Sequence, residues 1–181
     1  MEVGAVKFVL SITISNIIRL FSFIPNNDPI MALMLPYSKQ KNRIAAFLFP
    51  FITMFSFDAI TGHLGILTVV TAMTYGCLGL FFAFIYKNRK VGLKTYLGSG
   101  ALGVLIFDFV TGCIAFPLLF NMPFEQAIFG QIPFTIIHLV TVSCYVVVIT
   151  PLLDKHILQN PKLSDTKLFN YLKIRLGQLQ L

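Results

Sequence analysis

Two copies of one six-residue pattern place a carboxylate at the end of an apolar run. Residues 57–62 and 107–112 both read Phe-Asp-x-x-Thr-Gly. A charged side chain at the edge of an apolar segment is costly unless it is solvated, paired or used in function. The same pattern is typical of a turn in which the carboxylate accepts backbone hydrogen bonds and the glycine takes a left-handed conformation. The turn is favoured over direct ligand contact, and we expect a structural turn that the chain uses twice.

A polar stripe near the start of the last apolar segment is the strongest candidate ligand site. Gln131, Thr135 and His138 follow one another at i, i+4 and i+7, so that they share one face of a helix. Polar groups that face the inside of a helical bundle can orient a ligand, although they can equally join helices by hydrogen bonds. A second polar stripe, which includes Thr71 and Tyr75, is assigned to helix packing.

The first apolar segment and two aromatic residues offer further candidate contacts. Arg19 lies three residues after Asn16, near the end of the first apolar segment. Its guanidinium can extend to lipid headgroups, which is the favoured interpretation, or it can pair with a carboxylate or an anionic ligand. Phe107 and Phe134 can stack on a planar ring of a ligand.

Known catalytic patterns are absent from the sequence. It contains no Gly-x-x-x-x-Gly-Lys-Ser/Thr loop for ATP, no His-Glu-x-x-His zinc helix and no Gly-x-Ser-x-Gly nucleophile elbow. Because Cys77, Cys113 and Cys144 have no paired spacing, neither a metal site nor a disulfide is expected. We therefore expect no enzymatic activity, no cofactor and no bound metal. Two alternatives remain: a small membrane enzyme in which His138 is the base and Asp108 orients it, and an assembly protein whose polar stripes only join helices.

The composition is that of a membrane protein. Hydrophobic residues make up 56% of the 181 residues, charged residues make up 12%, and the mean hydropathy is +0.82. Soluble domains contain about 25% charged residues, whereas a membrane-crossing helix needs about 20 mainly apolar residues. The chain is long enough for one helical membrane domain. The net charge of +7 is concentrated in short loops, which indicates membrane topology and not nucleic-acid binding.

Six apolar segments are separated by polar or proline-containing connections. We expect an all-α polytopic membrane protein with six transmembrane helices arranged as three hairpins. The second segment is short for a membrane crossing, and we expect it to cross because its neighbours shield it. Residues 117–129 are expected to form an irregular connection. The predicted helices cover residues 4–24, 30–37, 44–57, 64–86, 95–116 and 131–153.

The basic residues decide the orientation of these helices. All of the 14 lysines and arginines except Lys7 and Arg19 lie in residues 39–43, in residues 87–94 or beyond residue 153. By the positive-inside rule, these regions and both termini are cytoplasmic. The polar turns then lie on the outer side, where we expect a structural rim. The residues assigned to this rim are Asp28, Asp58, Thr61, Gly62, Asp108, Thr111 and Gly112.

Two regions follow from this topology. Residues 1–156 are predicted to form the membrane domain, which we place in the cell membrane. Residues 157–181 are predicted to form a cytoplasmic basic tail, in which Leu168, Leu172 and Leu176 share one face of an amphipathic helix on the inner leaflet. A partly ordered tail is the alternative.

Several of these features resemble the substrate-specific S components of energy-coupling factor (ECF) transporters. The shared motifs are the Asn-Asn-Asp-Pro turn at residues 26–29, Phe-Asp-x-x-Thr-Gly followed by Thr-Ala-x-x-Tyr-Gly at residues 71–76, and Gly-Gln-Ile-Pro-Phe-Thr-x-x-His at residues 130–138. Six predicted helices in a chain of 181 residues without an ATPase motif are also similar to this family. The resemblance covers residues 5–155.

This resemblance implies a subunit that captures a vitamin or a vitamin precursor from outside the cell. It also implies docking onto a transmembrane T subunit that two cytoplasmic ATPases drive. The family's Ala-x-x-x-Ala docking motif on the first helix is matched loosely by Ser11-x-x-x-Ser15, since small residues four apart let another helix approach closely. The expected partners are the substrate, the T and ATPase subunits and membrane lipid, without nucleic acid.

Overall fold

The described part of the chain is helical throughout. The computed structural model describes residues 4–22, 27–40 and 42–154, so that the predicted tail helix lies outside the described residues. The expectation of an all-α fold is confirmed for this part of the chain. The elements are α1 (Ala5–Leu20), α2 (Ile30–Ser38), α3 (Arg43–Thr61), α4 (Ile66–Tyr86), α5 (Leu93–Asp108), a π-helical segment (Phe109–Ala115), α6 (Phe116–Phe120) and α7 (Phe124–Pro151).

Four helical stretches within the described residues are long and apolar enough to cross a membrane. They are Arg43–Thr61, Ile66–Tyr86, Leu93–Phe120 and Phe124–Asp154. At 1.5 Å per residue, α1 is about 24 Å long and α2 about 13 Å, both short of the roughly 30 Å of a hydrocarbon core. The structure thus supports a multi-pass helical membrane protein with four clear candidates among the six predicted spans.

The short helix α2 is the centre of the bundle. Every residue of Ile30–Ser38 is buried, and α2 packs against α1, α3, α4, α5 and α7. A helix that is apolar on all sides must be covered on all sides, and here the surrounding helices cover it. The expectation that neighbours shield this segment is confirmed.

The hairpin of α3 and α4 is the most extensively packed pair of helices. Helix α3 begins at Arg43 because the side chain of Asn42 accepts hydrogen bonds from the first free backbone N–H groups, including that of Ile44 at 3.0 Å. Gly79 on α4 lies against the backbone carbonyl of Ala46 on α3, where a Cβ would clash. The backbones of α3 and α4 therefore approach each other closely at this point.

The first copy of the repeated pattern forms a turn that ends in a left-handed glycine, as predicted, but among the described residues its carboxylate accepts from a side chain and not from the backbone. Gly62 has a φ of +75° and ends α3 in the left-handed conformation. The hydroxyl of Thr61 donates to the carbonyl of Phe57 at 2.9 Å. The carboxylate of Asp58 accepts from the hydroxyl of Thr68 at 2.6 Å, so that it joins the turn to the start of α4.

The second copy does not form a turn, and the prediction of a turn used twice is wrong for it. Asp108 ends α5, and the chain continues without interruption through the π-helical segment into α6. Gly112 lies against the side chain of Gln131 on α7, and a Cβ at this position would require that side chain to move. Single π-helical turns within α-helices are frequent at functional sites.

The predicted irregular connection at residues 117–129 is also largely helical. Helix α6 ends at Phe120, and α7 begins at Phe124, well before the predicted start of the last helix. Asn121, with a φ of 52°, ends α6 in the left-handed conformation. Proline is tolerated at the beginning of a helix, where its missing N–H would be unsatisfied in any case. The prolines in this region therefore separate two helices and do not prevent them.

The bundle has two chemically different ends. At one end, which we call the Asp154 end, Lys39 after α2 lies 2.8 Å from Asp154 after α7, and the hydroxyl of Tyr96 on α5 donates to the same carboxylate at 2.9 Å. At the opposite end, which we call the His138 end, the turn before α2 meets the end of α5 and the middle of α7. The candidate site lies at the His138 end.

Candidate binding site

His138 lies between two carboxylates from different elements. Its Nδ1 is 2.9 Å from Oδ1 of Asp108 at the end of α5, and its Nε2 is 3.6 Å from Oδ2 of Asp28 in the turn before α2. The side chains of His138 and Asp108 are only 3% and 5% exposed. Three segments that are far apart in the sequence thus meet at one imidazole ring.

Two polar atoms of this cluster have no hydrogen-bond partner among the described residues. They are Nε2 of His138 and Oδ2 of Asp108, and both are buried. Buried polar atoms in native proteins are normally satisfied, and leaving one unsatisfied costs about 1–3 kcal/mol. When Nδ1 donates to Asp108 and the ring is neutral, Nε2 is an acceptor that faces a second acceptor on Asp28. An N–H or O–H group of a ligand placed between these two atoms would satisfy both.

Asp28 is held rigidly in the turn before α2. Its Oδ1 accepts from the backbone N–H of Ile30 at 2.9 Å, and its Oδ2 accepts a hydrogen bond from the hydroxyl of Tyr75 on α4. The adjacent Asn27 accepts from the hydroxyl of Tyr145 on α7 at 2.6 Å. Two tyrosines from different helices therefore fix the turn, which positions the carboxylate opposite His138.

A cavity of about 340 Å³ opens beside this cluster. Small-molecule sites in proteins are of this order of size and combine apolar walls with a few convergent polar groups. Phe107 forms one wall. The centre of its ring lies 4.2 Å from the ring centre of Tyr75 and 6.0 Å from that of His138. The lining residues are Arg19, Ser22, Asn27, Asp28, Met54, Phe57, Thr71, Tyr75, Phe107 and His138.

Arg19 supplies a cation on another side of the same cavity. Its guanidinium carbon lies 3.9 Å from the centre of the Phe57 ring, and its Nη1 is 3.2 Å from the sulfur of Met54. Stacking on an aromatic face holds a guanidinium in place without neutralising it. No carboxylate forms an ion pair with Arg19 among the described residues. Arg19 lines the cavity, so that a ligand carbonyl, carboxylate or phosphate in the cavity could accept from its guanidinium.

A second cavity, of about 510 Å³, adjoins the first. Thr71 and Phe107 line both cavities, so that they form the shared wall. Asp108 lines the second cavity, while its partner His138 lines the first. The other residues around the second cavity are mainly apolar: Leu67, Thr111, Gly112, Phe116, Met122, Gln126, Ala127, Gly130, Gln131 and Phe134.

The structure brings together some of the predicted ligand contacts and separates others. Arg19, Phe107 and His138 line the first cavity, whereas Gln131 and Phe134 line only the second. The predicted polar stripe of α7 is thus divided between two cavities.

Two further predicted contacts line neither cavity. Asn16 donates from its amide nitrogen to the hydroxyl of Ser56 at 2.9 Å and joins α1 to α3. Thr135 is half-buried and is absent from the linings of both cavities.

Two residues assigned to a structural rim are instead inside the bundle. Asp28 and Asp108 are 8% and 4% exposed and are partners of His138. The physical reason is that a buried histidine supplies the partner that makes burial of a carboxylate tolerable. The remaining rim residues divide in the same way: Asp58, Thr61 and Gly62 form the α3–α4 turn, whereas Thr111 and Gly112 line the second cavity.

Thr71 and Tyr75, which were assigned to helix packing, also belong to the candidate site. Both line the first cavity, and Tyr75 donates to Asp28. Their spacing of four residues on an apolar helix was the available signal, because it places two polar side chains on one face. Asn27, Met54 and Phe57 were missed as well. Asn27 lies in the Asn-Asn-Asp-Pro motif and Phe57 begins the first copy of the repeated pattern, whereas no motif includes Met54.

The serine pair on α1 lies inside the chain. Ser11 and Ser15 are 6% and 0% exposed, and the hydroxyl of Tyr37 donates to that of Ser11 at 2.8 Å. Docking of another subunit through these two serines would require α1 to leave this internal contact.

No family model, no curated protein and no solved structure matches this chain. What the site can do therefore follows from its side chains. Within the described residues, no group of three or more His, Cys, Asp or Glu side chains is placed to hold a metal ion. The first cavity combines a cation held against an aromatic ring, a histidine that lies between two carboxylates and whose Nε2 has no hydrogen-bond partner among the described residues, and aromatic walls. This is an arrangement for holding a polar molecule in one orientation.

Proposed function

We propose that this protein is a membrane-embedded substrate-binding subunit that captures a small, vitamin-like molecule from outside the cell for an ECF-type transporter. The observation that carries this proposal is the 340 Å³ cavity into which His138, Asp28 and Arg19 converge. Ionisable groups inside membrane helices are rare, and they mark substrate or ion pathways. A cluster of three such groups around a cavity of ligand size is best explained by ligand binding.

In this proposal the chain crosses the membrane six times as three hairpins, with both termini in the cytoplasm. Two observations support it. The basic loops that follow α2 and α4 line one common cavity at the Asp154 end, and the positive-inside rule places such loops in the cytoplasm. The candidate site lies at the opposite end, which would then face the outside. Helix α2 crosses only as a short, fully covered element.

The proposed substrate has two chemical features. A donor group, N–H or O–H, lies between Nε2 of His138 and Oδ2 of Asp28, which are 3.6 Å apart. A carbonyl or acidic group accepts from Arg19 on the other side, since a guanidinium binds oxygen acceptors in a forked geometry. A planar ring between these groups packs against Phe107, and an apolar extension would reach the second cavity past the same side chain.

Transport in this proposal is driven by other subunits. The sequence contains no phosphate-binding loop for ATP, and its resemblance to S components supports a partnership with a transmembrane T subunit and two ATPases. The protein would bind the substrate and leave the energy-coupled step to these partners.

A second candidate function is favoured by the pairing of His138 with Asp108. A histidine oriented by a carboxylate at 2.9 Å, with its other nitrogen facing a cavity, has the geometry of a general base. In that case the bound molecule would be converted and not transported.

Purification in lipid nanodiscs followed by a thermal-shift screen of vitamins and their precursors tests both candidates. We expect one compound to stabilise the wild-type protein and the His63→Ala variant but not His138→Ala. His63 is an exposed histidine in the α3–α4 turn, so that its replacement is a matched control. Mass spectrometry of the incubated compound separates the two functions, because an unchanged compound supports capture and a product supports the enzyme.

A further inference from the structure

A separate cavity of about 270 Å³ lies at the Asp154 end, far along the helices from His138. It is formed where α2 ends, α3 begins and α4 ends. Its lining is rich in cations, and no acidic residue is among the described residues that line it. The lining residues are Ser38, Lys39, Gln40, Arg43, Ala83, Lys87 and Asn88.

Two of the three cations are held in place by neighbouring side chains. Lys39 lies 2.8 Å from Asp154, which neutralises one positive charge. The guanidinium carbon of Arg43 lies 4.6 Å from the centre of the Phe84 ring, which positions the group without neutralising it. Lys87 directly follows the end of α4.

The charge balance of this cavity is therefore positive. With one of three cations neutralised, the equivalent of two positive charges faces a small volume, and a cleft lined by one sign of charge concentrates ions of the opposite sign. The amide groups of Gln40 and Asn88 add neutral donors to the same lining. The forked donors of an arginine next to lysines and amides match the oxygens of a phosphate.

We propose that this cavity binds a phosphate group. Two sources share this chemistry: the headgroup of an anionic phospholipid in the adjacent leaflet, and a free inorganic phosphate. The site is independent of the proposed transport function, because its described lining shares no residue with the two cavities at the His138 end.

The test compares variants of equal net charge. Arg43→Gln/Lys87→Gln removes two cations from the cavity. Lys90→Gln/Lys94→Gln removes two cations that do not line it, of which Lys90 lies in the loop after α4 and Lys94 in the first turn of α5. Lys39 is left intact because it pairs with Asp154. The single variant Lys87→Gln is included because its side chain is exposed and the change does not disturb the start of α3.

In one arm, the proteins are transferred into nanodiscs that contain a few per cent phosphatidylglycerol in phosphatidylcholine, and native mass spectrometry counts the anionic lipids that each protein retains. In the second arm, inorganic phosphate is titrated against the proteins in pure phosphatidylcholine nanodiscs, and thermal stability is recorded. Each basic residue near an anionic membrane surface contributes about fivefold to binding. We expect affinity for one of the two probes to fall by roughly tenfold to thirtyfold in Arg43→Gln/Lys87→Gln, and by less in Lys87→Gln.

The arm in which this loss occurs identifies the source of the phosphate. Retained binding in Lys90→Gln/Lys94→Gln is expected in that arm. An equal loss in both double variants would show that only the overall charge of the surface matters and would overturn the proposal. Absence of binding to either probe by the wild-type protein would overturn it as well.

Discussion

Replacing His138 with alanine should destabilise the folded protein through the carboxylate that it leaves behind. Asp108 lies 2.9 Å from the imidazole and is 4% exposed. In His138→Ala this carboxylate stays buried without its partner, and removal of one member of a buried pair costs about 3–5 kcal/mol. Asp108→Ala should cost less, about 1–3 kcal/mol, because the remaining imidazole still faces Asp28 at 3.6 Å.

The double variant gives the sharper test of this reasoning. If the two side chains act as a pair, then the loss in His138→Ala/Asp108→Ala is smaller than the sum of the single losses by about 2–3 kcal/mol, the upper part of the range measured for residues in contact. The four free energies of unfolding would be measured by circular dichroism during reversible unfolding in mixed micelles with increasing sodium dodecyl sulfate.

A control cycle uses His63 in place of His138. Its ring lies on the exposed α3–α4 turn, so that His63→Ala and Asp108→Ala should add within about 0.5 kcal/mol. If the single losses of His138→Ala and Asp108→Ala also added within about 0.5 kcal/mol, then the pairing on which the site is built would be refuted.

Three further predictions follow from the packing of the helices and the cavities. Gly79→Ala should destabilise the protein by about 1–3 kcal/mol in the same unfolding assay, because its Cβ meets a backbone carbonyl of α3. Gly98→Ala should not destabilise it, because the space around its Cβ is open. Equal effects of the two substitutions would argue against the close approach of α3 and α4. Gly130 lines the second cavity, and a Cβ added there meets open space. Gly130→Leu should therefore weaken binding of a ligand that extends into this cavity by about tenfold, while Gly98→Leu should leave the dissociation constant from calorimetry unchanged. Unchanged binding in both variants would confine the ligand to the first cavity. Tyr75→Phe removes the hydroxyl that donates to Asp28. It should lower the free energy of unfolding by about 1–3 kcal/mol and should also weaken ligand binding. A variant with wild-type stability and affinity would show that the turn before α2 is held by other contacts.

The helical character of the chain was predictable because it depends on local properties. Long apolar runs and the turn signal at Gly62 follow from composition and from neighbours along the chain. The covering of α2 was predictable because its nine residues are too few to cross a membrane without other helices around them. The end of α1 at Leu20 and the start of α7 at Phe124 differ from the predicted positions. Helix boundaries are the least reliable part of any such prediction. Prolines were interpreted as interruptions of the helical structure, whereas Pro117 and Pro123 lie where α6 and α7 begin.

The two copies of the repeated pattern show where local information ends. Residues 57–62 form a turn and residues 107–112 continue a helix, although both read Phe-Asp-x-x-Thr-Gly. The difference lies in their partners: Asp58 bonds to Thr68 ten residues away, whereas Asp108 bonds to His138 on another helix. The six residues of the pattern do not indicate this long-range partner.

The site was predictable in part for the same reason. His138 from the predicted stripe on α7 lines one cavity together with Arg19 and Phe107, which the sequence had offered as further candidates, and their contact with a ligand stays a prediction. The burial of Asp28 and its hydrogen bond from Tyr75 were not predicted, because both depend on how the turn before α2 packs against α4 and α7.

Isothermal titration calorimetry of the compound found in the thermal-shift screen tests the proposed capture function most directly. The dissociation constants of the wild type, His63→Ala, Arg19→Gln and His138→Ala would be measured in nanodiscs. The proposal predicts that Arg19→Gln and His138→Ala each weaken binding by at least about tenfold, the equivalent of one charge-assisted hydrogen bond, while His63→Ala binds as the wild type does. Equal affinity in all four proteins would contradict a site built around His138, Asp28 and Arg19.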